Sequence, residues 1–267
     1  MAPPWIIAPA LLLFGALTAP AGALFFEDFE TATADASDLG GQGDWKQGSG
    51  SGGWTVNDAD DANAGLLPQS YTNGTVGIRN GTRAAILTQG ERQALNEALP
   101  DHRGSLFISF LVRHVATGPG SNFGAPLCLF PSNDAGTQIG LRGTENNSNT
   151  AVSAYASLNS NSRNAGEFIE RPGLDLSQTH FLVARLSISG GNGTHYDTLD
   201  LWLNPDDATA PGFKLGINGY VGKITFDSGS SSVDGIGLHG DNRSPHGGFD
   251  SIRIGEDWTD VVDAKIP

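Results

Sequence analysis

Short apolar or alternating runs, separated by clusters of Gly, Asn, Asp, Ser and Pro, recur along the chain from Leu24 onward. Alternation with a period of two, punctuated by turn residues, predicts strands. The runs that qualify are Leu24–Phe29, Trp54–Val56, Thr75–Ile78, Ala84–Thr88, Ser105–Val115, Pro126–Phe130, Thr137–Arg142, Ala151–Ser157, His180–Ser189, Tyr196–Asn204, Val233–Leu238 and Phe249–Ile254. Only Gly90–Leu99, stopped by Pro100, reads as a helix, with a second helical turn at Glu256–Val261. About a dozen strands without alternating helices predict an all-β, antiparallel sandwich with one short helix.

The longer strands assign their own faces. Leu106, Ile108, Phe110 and Val112 oppose Phe107, Ser109, Leu111 and Arg113; Leu182, Ala184, Leu186 and Ile188 oppose Phe181, Val183, Arg185 and Ser187. Leu199, Leu201 and Leu203 oppose Tyr196, Thr198, Asp200 and Trp202. Each strand thus has one apolar face, suited to packing on a second sheet, and one mixed face. If these strands are neighbours, Arg113, Arg185, Tyr196, Asp200 and Trp202 gather on the outward side of one sheet.

Met1 to Ala23 carries no charged side chain; its apolar run Trp5–Leu17 leads into Ala19-Pro20-Ala21-Gly22-Ala23, where Ala21-x-Ala23 fits a signal-peptidase site. The expectation is a secretory signal at residues 1–23, cleaved before Leu24, with one domain over residues 24–267 and no membrane span after cleavage. The mature protein is then secreted, periplasmic or extracellular. Acidic residues outnumber Lys and Arg by 29 to 15, for a net charge of −14, so a partner held by a basic face, nucleic acid above all, is excluded. A single cysteine excludes an internal disulfide.

The opening Phe25-Phe26-Glu27-Asp28-Phe29-Glu30, the closing Gly248-Phe249-Asp250-Ser251-Ile252-Arg253-Ile254-Gly255, the Leu199-Asp200-Leu201-Trp202-Leu203-Asn204-Pro205 stretch and the final Asp257-Trp258 resemble secreted bacterial proteins with a concanavalin A-like, LamG-type jelly roll. The resemblance implies that the first and last strands pair in one sheet, that the fold is a jelly roll, and that carbohydrate is a common ligand. It also implies a structural calcium near the paired termini. Here Glu27 and Asp250 each share a strand face with apolar neighbours, and with Asp28 they would supply the hard oxygen ligands Ca²⁺ prefers; pairing with Arg253 or Arg243 is the competing account.

Catalytic patterns are weak. The Glu-x-Asp-x-x-Glu form of a jelly-roll glucanase is missing, and Glu27 and Glu30 fall on opposite faces of a strand. A lyase would draw on His180, His195, Tyr196, Arg113 and Arg185, but the net charge repels polyanions. Sugar binding needs an aromatic face flanked by groups that hydrogen-bond hydroxyls, and Trp202 with Asp200, Tyr196, Arg113 and Arg185 fits that need. Burial of Trp202 under a long loop is the structural alternative. The sequence therefore reads as a secreted, non-catalytic binding or cell-surface module with a glycan or cell-surface polysaccharide as partner. A polysaccharide-active lyase or hydrolase stands second and a purely structural surface protein third.

Overall fold

The computed structural model describes residues 22–29, 39, 42, 44–50, 53–58, 71–78, 83–89, 92–96, 102, 104–114, 124–129, 137–143, 152–157, 168–175, 178–189, 195–225, 231–233, 235–240 and 247–264. The proposed leader, apart from Gly22 and Ala23, lies outside them. The strands are β1 (Phe25–Glu27), β2 (Trp45–Gly50), β3 (Gly53–Asp58), β4 (Tyr71–Asn73), β5 (Val76–Ile78), β6 (Arg83–Gln89), β7 (Arg92–Asn96), β8 (Leu106–His114) and β9 (Gly124–Leu129). They continue with β10 (Thr137–Gly143), β11 (Val152–Ser157), β12 (Phe168–Leu174), β13 (His180–Ser187), β14 (Thr198–Leu203), β15 (Tyr220–Thr225), β16 (Ile236–Gly240) and β17 (Gly247–Gly255), before the short helix α1 (Trp258–Val261).

An eight-stranded sheet runs β15-β14-β13-β8-β17-β6-β3, with β1 paired to β17; a seven-stranded sheet runs β12-β11-β10-β9-β16-β7-β2. Every pairing within them is antiparallel, and the chain crosses from one sheet to the other at β1–β2, β2–β3, β6–β7, β7–β8, β8–β9, β12–β13, β15–β16 and β16–β17. Repeated crossing between two antiparallel layers is jelly-roll wiring, the architecture that the resemblance implies. Its terminal pairing is present too, since Phe25 lies opposite Ile254, Phe26 opposite Arg253 and Glu27 opposite Ile252.

Of the helix expected at Gly90–Leu99, the described residues Arg92–Asn96 are strand. They form β7, which pairs with β16 through Ala94 and Leu238 and with β2 through Asn96 and Trp45. A lone helix of that length is marginal in water, whereas a strand between two partners satisfies its backbone on both sides. The helical turn expected at Glu256–Val261 does form, with Asp257 and Asp260 in a reciprocal capping box.

The leucine faces of β8, β13 and β14 bury between the sheets with Phe110, Leu127, Leu141 and Ile236. The opposite face is buried as well. Phe107, Leu111, Phe181, Val183 and Trp202 form a second core beneath β4–β5, residues 205–213 and α1. The molecule therefore has three layers on this side, because the mixed face carries too many large apolar groups to be left to water.

Candidate functional site

Register on the outward face fixes which polar groups meet. Arg185 on β13 lies opposite Asp200 on β14, and Asp200 lies opposite Lys223 on β15, so the three stand in one row across the sheet. Arg185 donates from Nη2 at 2.7 Å and from Nε at 3.2 Å to Asp200 Oδ2. The Tyr220 hydroxyl donates to Asp200 Oδ1 at 2.7 Å. Asp200 is fully buried, and these donors are what a buried carboxylate requires. Burial, and after it the hydrogen bond and charge of Asp200, push the Tyr220 hydroxyl above the ordinary tyrosine range, while Arg185 acts in the opposite sense. Tyr220 is therefore a proton donor to Asp200 and does not act as a base near neutrality.

Trp202, beside this row, has no exposed surface. Its indole Nε1 donates to the Gly212 carbonyl at 2.7 Å, and its ring meets Phe107, Phe213, Tyr220 and Trp258 at centroid distances of 5.3 to 6.2 Å. A ring sealed on all sides has no face left for a pyranose. The expected contact role of Trp202 is replaced by a packing role, and its cover is the 205–219 segment with α1.

That segment is folded by its own side chains. Asn204, at φ 50°, ends β14: its Oδ1 accepts from Phe181 N at 2.9 Å and its Nδ2 meets His180 Nδ1 at 3.2 Å. Asn218, at φ 47°, accepts from the backbone N–H of Asp206 and Asp207 at 2.8 and 2.7 Å and donates to the carbonyls of Asp207 and Ala210 at 3.0 and 2.9 Å. Next to it Gly219, at φ 73°, passes so close to Leu203 O that an added Cβ would stand 2.3 Å away. Asparagine and glycine tolerate the left-handed region that this chain reversal needs.

The clamp holds Gly212 and Phe213 against Trp202 while the loop's large apolar side chains turn toward water. Phe213 is 49 %, Leu215 73 % and Ile217 54 % exposed. Phe213 nevertheless has a fixed seat: the Arg185 guanidinium carbon lies 4.5 Å from its centroid, and it meets Trp202 at 5.4 Å and Tyr220 at 6.1 Å, both edge-on. Sequence reasoning missed this ring because Pro211-Gly212-Phe213-Lys214-Leu215-Gly216-Ile217 fits no strand or helix. Large apolar residues spaced by two within a Gly/Pro loop were the available signal.

The other expected members of the site go elsewhere. Tyr196 precedes the β13–β14 ladder, and its ring is fully buried between the two sheets, with its hydroxyl 3.3 Å from His102 O. Alternation fails there because Asp197 turns the chain: its backbone N–H donates to Ser187 O and its carboxylate accepts from Ser189 and Thr198. Arg113 is on the outward face, but Arg185 lies opposite Phe107, so Arg113 is six residues further along β8, roughly 20 Å away. His180 is tied through Nε2 to Asp175 O at 3.0 Å, and burial lowers its pKa.

The proposed calcium ligands do not converge. Glu27 lies opposite the inward-facing Ile252; its Oε1 accepts from Phe29 N at 2.7 Å and its Oε2 from Trp45 Nε1 at 2.8 Å. Asp250 lies opposite Leu111, whose side chain belongs to the outer core. The two carboxylates thus occupy opposite faces of the sheet. The cause is a bulge: Asp250 pairs with Leu111 but Arg253 with Ser109, one residue more on β17 than on β8, with Ser251 at φ 51°. Simple alternation had placed Asp250 with Ile252 and Ile254, whereas the bulge turns Asp250 outward and keeps both isoleucines in the inner core. Asp28, between the strand and the reversal at Phe29, is partly exposed. Arg253 pairs with Asp263 at 2.6 Å. No group of three or more His, Cys, Asp or Glu suited to a metal ion occurs among the described residues.

No family model matches the chain, and no curated protein matches it either. Among solved structures it is similar to a family 16 glycosyl hydrolase protein from Mycobacterium smegmatis, with 11 % identity over 87 % of this chain and 99 % of that one and a TM-score of 0.47. It is also similar to a non-specific endo-β-1,3(4)-glucanase of family 16, at 11 % identity over 90 % and 100 % and a TM-score of 0.45. The globular domain of Trypanosoma cruzi calreticulin follows at 16 % identity over 76 % and 84 % and a TM-score of 0.40. At these scores the likeness assigns nothing to this chain, and its jelly-roll wiring rests on its own strand order.

Proposed function

We propose that the protein is an exported, non-catalytic binding module that holds carbohydrate on the Phe213 shelf. The observation that carries this reading is an aromatic ring that is half exposed yet fixed by Arg185, Trp202 and Tyr220. A pyranose presents an apolar face that stacks on such a ring, and a ring already held in place loses little side-chain entropy on binding. Hydroxyls of the sugar have donors beside it, because Arg185 uses Nε and Nη2 on Asp200 and keeps Nη1 for a ligand.

The test is a panel of oligosaccharides titrated against the wild-type chain and two variants. Phe213→Ala is expected to lose at least tenfold in affinity, the scale of one lost stacking contact, with a far smaller drop in melting temperature than Trp202→Ala. Trp202→Ala is expected to lower the melting temperature first. Wild-type binding that survives Phe213→Ala undiminished, or no binding to any member of the panel, overturns the reading. Export predicts that the secreted protein begins at Leu24, which N-terminal sequencing reads directly.

A further inference from the structure

We infer that the tip of the loop bearing Phe213 docks on an uncharged lipid surface, with Leu215 and Ile217 entering the headgroup layer; this goes beyond the glycan reading and does not depend on it. Residues 213–217 are exposed in an unbroken run, so the loop ends in a projecting tip and not in a groove. Phe213, Leu215 and Ile217 are the large apolar side chains left exposed among the described residues, and they fall within five positions of one another. The turn is closed on itself. Ile217 N–H donates to Lys214 O at 2.8 Å and Gly216 N–H to Tyr220 O at 3.0 Å, while Ile217 Cγ2 packs so near Gly212 that an added Cβ there would stand 2.8 Å from it. A turn that bonds its own backbone and is clamped by Asn218 enters a headgroup layer without stranding those N–H groups or ordering a free chain.

Size and charge together choose lipid over a second copy of the chain. At their observed exposures the three side chains offer roughly 300 Å² of apolar surface, against about 800 Å² per partner in a standard protein interface. Affinity for a bilayer has no such threshold, since it grows with whatever apolar area goes under. Two copies at −14 also repel each other. Charge selects the lipid as well. Pro211–Ile217 holds one charged group, Lys214, whose stem can lie along the headgroups while its ammonium meets a lipid phosphate. At the base of the loop and beside α1, the exposed Asp206, Glu256 and Asp257 add to the field that repels an anionic surface. A zwitterionic bilayer meets both conditions. Phe213 keeps its seat against Arg185, Trp202 and Tyr220, which leaves Leu215 and Ile217 as the side chains that go under.

The test is flotation of the secreted protein with phosphatidylcholine vesicles, beside the double variant Leu215→Gln, Ile217→Gln and the single variant Leu215→Gln. The wild type is expected to float with the vesicles and the double variant to partition at least tenfold less, as the loss of two aliphatic side chains from the lipid implies. Replacing part of the lipid by phosphatidylserine should weaken wild-type binding at low salt. Melting temperatures check that the double variant is folded; if it is not, Leu215→Gln, at a side chain 73 % exposed, carries the comparison with a smaller loss in the same direction. No flotation of the wild type, undiminished flotation of the folded variants, or tighter binding to the phosphatidylserine vesicles overturns the membrane contact. So does a dimer, seen by sedimentation without lipid, that Leu215→Gln disperses, because the tip then belongs to a second copy. The oligosaccharide panel contains no lipid and these vesicles contain no sugar, so failure of either reading leaves the other standing.

Discussion

His180 is 6 % exposed, and both of its ring nitrogens are engaged, one with Asn204 and the other with Asp175 O. Burial holds its folded pKa below the ordinary 6.5. On acidification the unfolded chain therefore takes up this proton first. The stability that His180 contributes is complete above 6.5 and declines as pH falls below it. Melting temperatures from about pH 7.5 down to about pH 5 should fall less steeply in His180→Gln than in the wild type. Glu27 behaves with the opposite sign. Burial raises its carboxyl above 4.5, partly offset by the bonds from Trp45 and Phe29, so its contribution is complete below 4.5 and is lost as pH rises through the folded value. Trp45→Phe deletes the larger of those offsets and should cost about 1–3 kcal/mol at neutral pH and less in acid, as denaturant unfolding at the two pH values would show. The lyase role weighed for His180 loses its basis in the same geometry, since a side chain bonded at both nitrogens inside the molecule has none free for a substrate proton.

Among the elements, the segment from Pro205 to Gly219 depends most on one side chain. Asn218 makes four hydrogen bonds across it and sits at a positive φ. Asn218→Gly keeps the backbone freedom and removes the clamp, which separates the two roles. The expected cost is about 2 kcal/mol or more, together with faster proteolysis between Pro211 and Ile217. The strands themselves were legible where their pattern was strong: β8, β13 and β14 carry uninterrupted apolar faces, and all three form as read. Strands whose identity depends on distant partners were not. Arg92–Asn96 carries helix-favouring residues and becomes a strand only because β2 and β16 flank it. Tyr220–Thr225 carries Gly222 and Lys223 and alternates poorly, yet it completes the row that holds Arg185 and Asp200. The bulge at Ser251 left no mark in the sequence that distinguishes it from regular alternation, and with it went the proposed ion position.

For the molecule as a whole, the third layer is the feature that changes the functional reading. The sequence placed Arg185, Asp200 and Trp202 together correctly, since cross-strand register follows from face and period. It could not show that β4–β5, the 205–213 segment and α1 would fold over them, because a cover arriving from three separate parts of the chain leaves no local pattern. Trp202→Ala should therefore cost about 3–5 kcal/mol of stability, the scale of an aromatic removed from a packed interior, read as a lower denaturant midpoint. Trp258, 4 % exposed and in contact with Trp202 and Phe107, should behave alike when truncated, and the two losses should be less than additive because they empty the same cluster.

At the flank where the two main sheets end, β15 meets β12, and Gly222 lies so close to Ile169 that an added Cβ would stand 3.2 Å from its Cγ2. The outermost ribbons of the two layers thus lean on each other, leaving little width for a foreign strand to slip in alongside. Valine in place of Gly222 would wedge this join apart, and the first symptom would be slow fibril growth, visible with an amyloid-binding dye, well before any drop in the amount of folded protein.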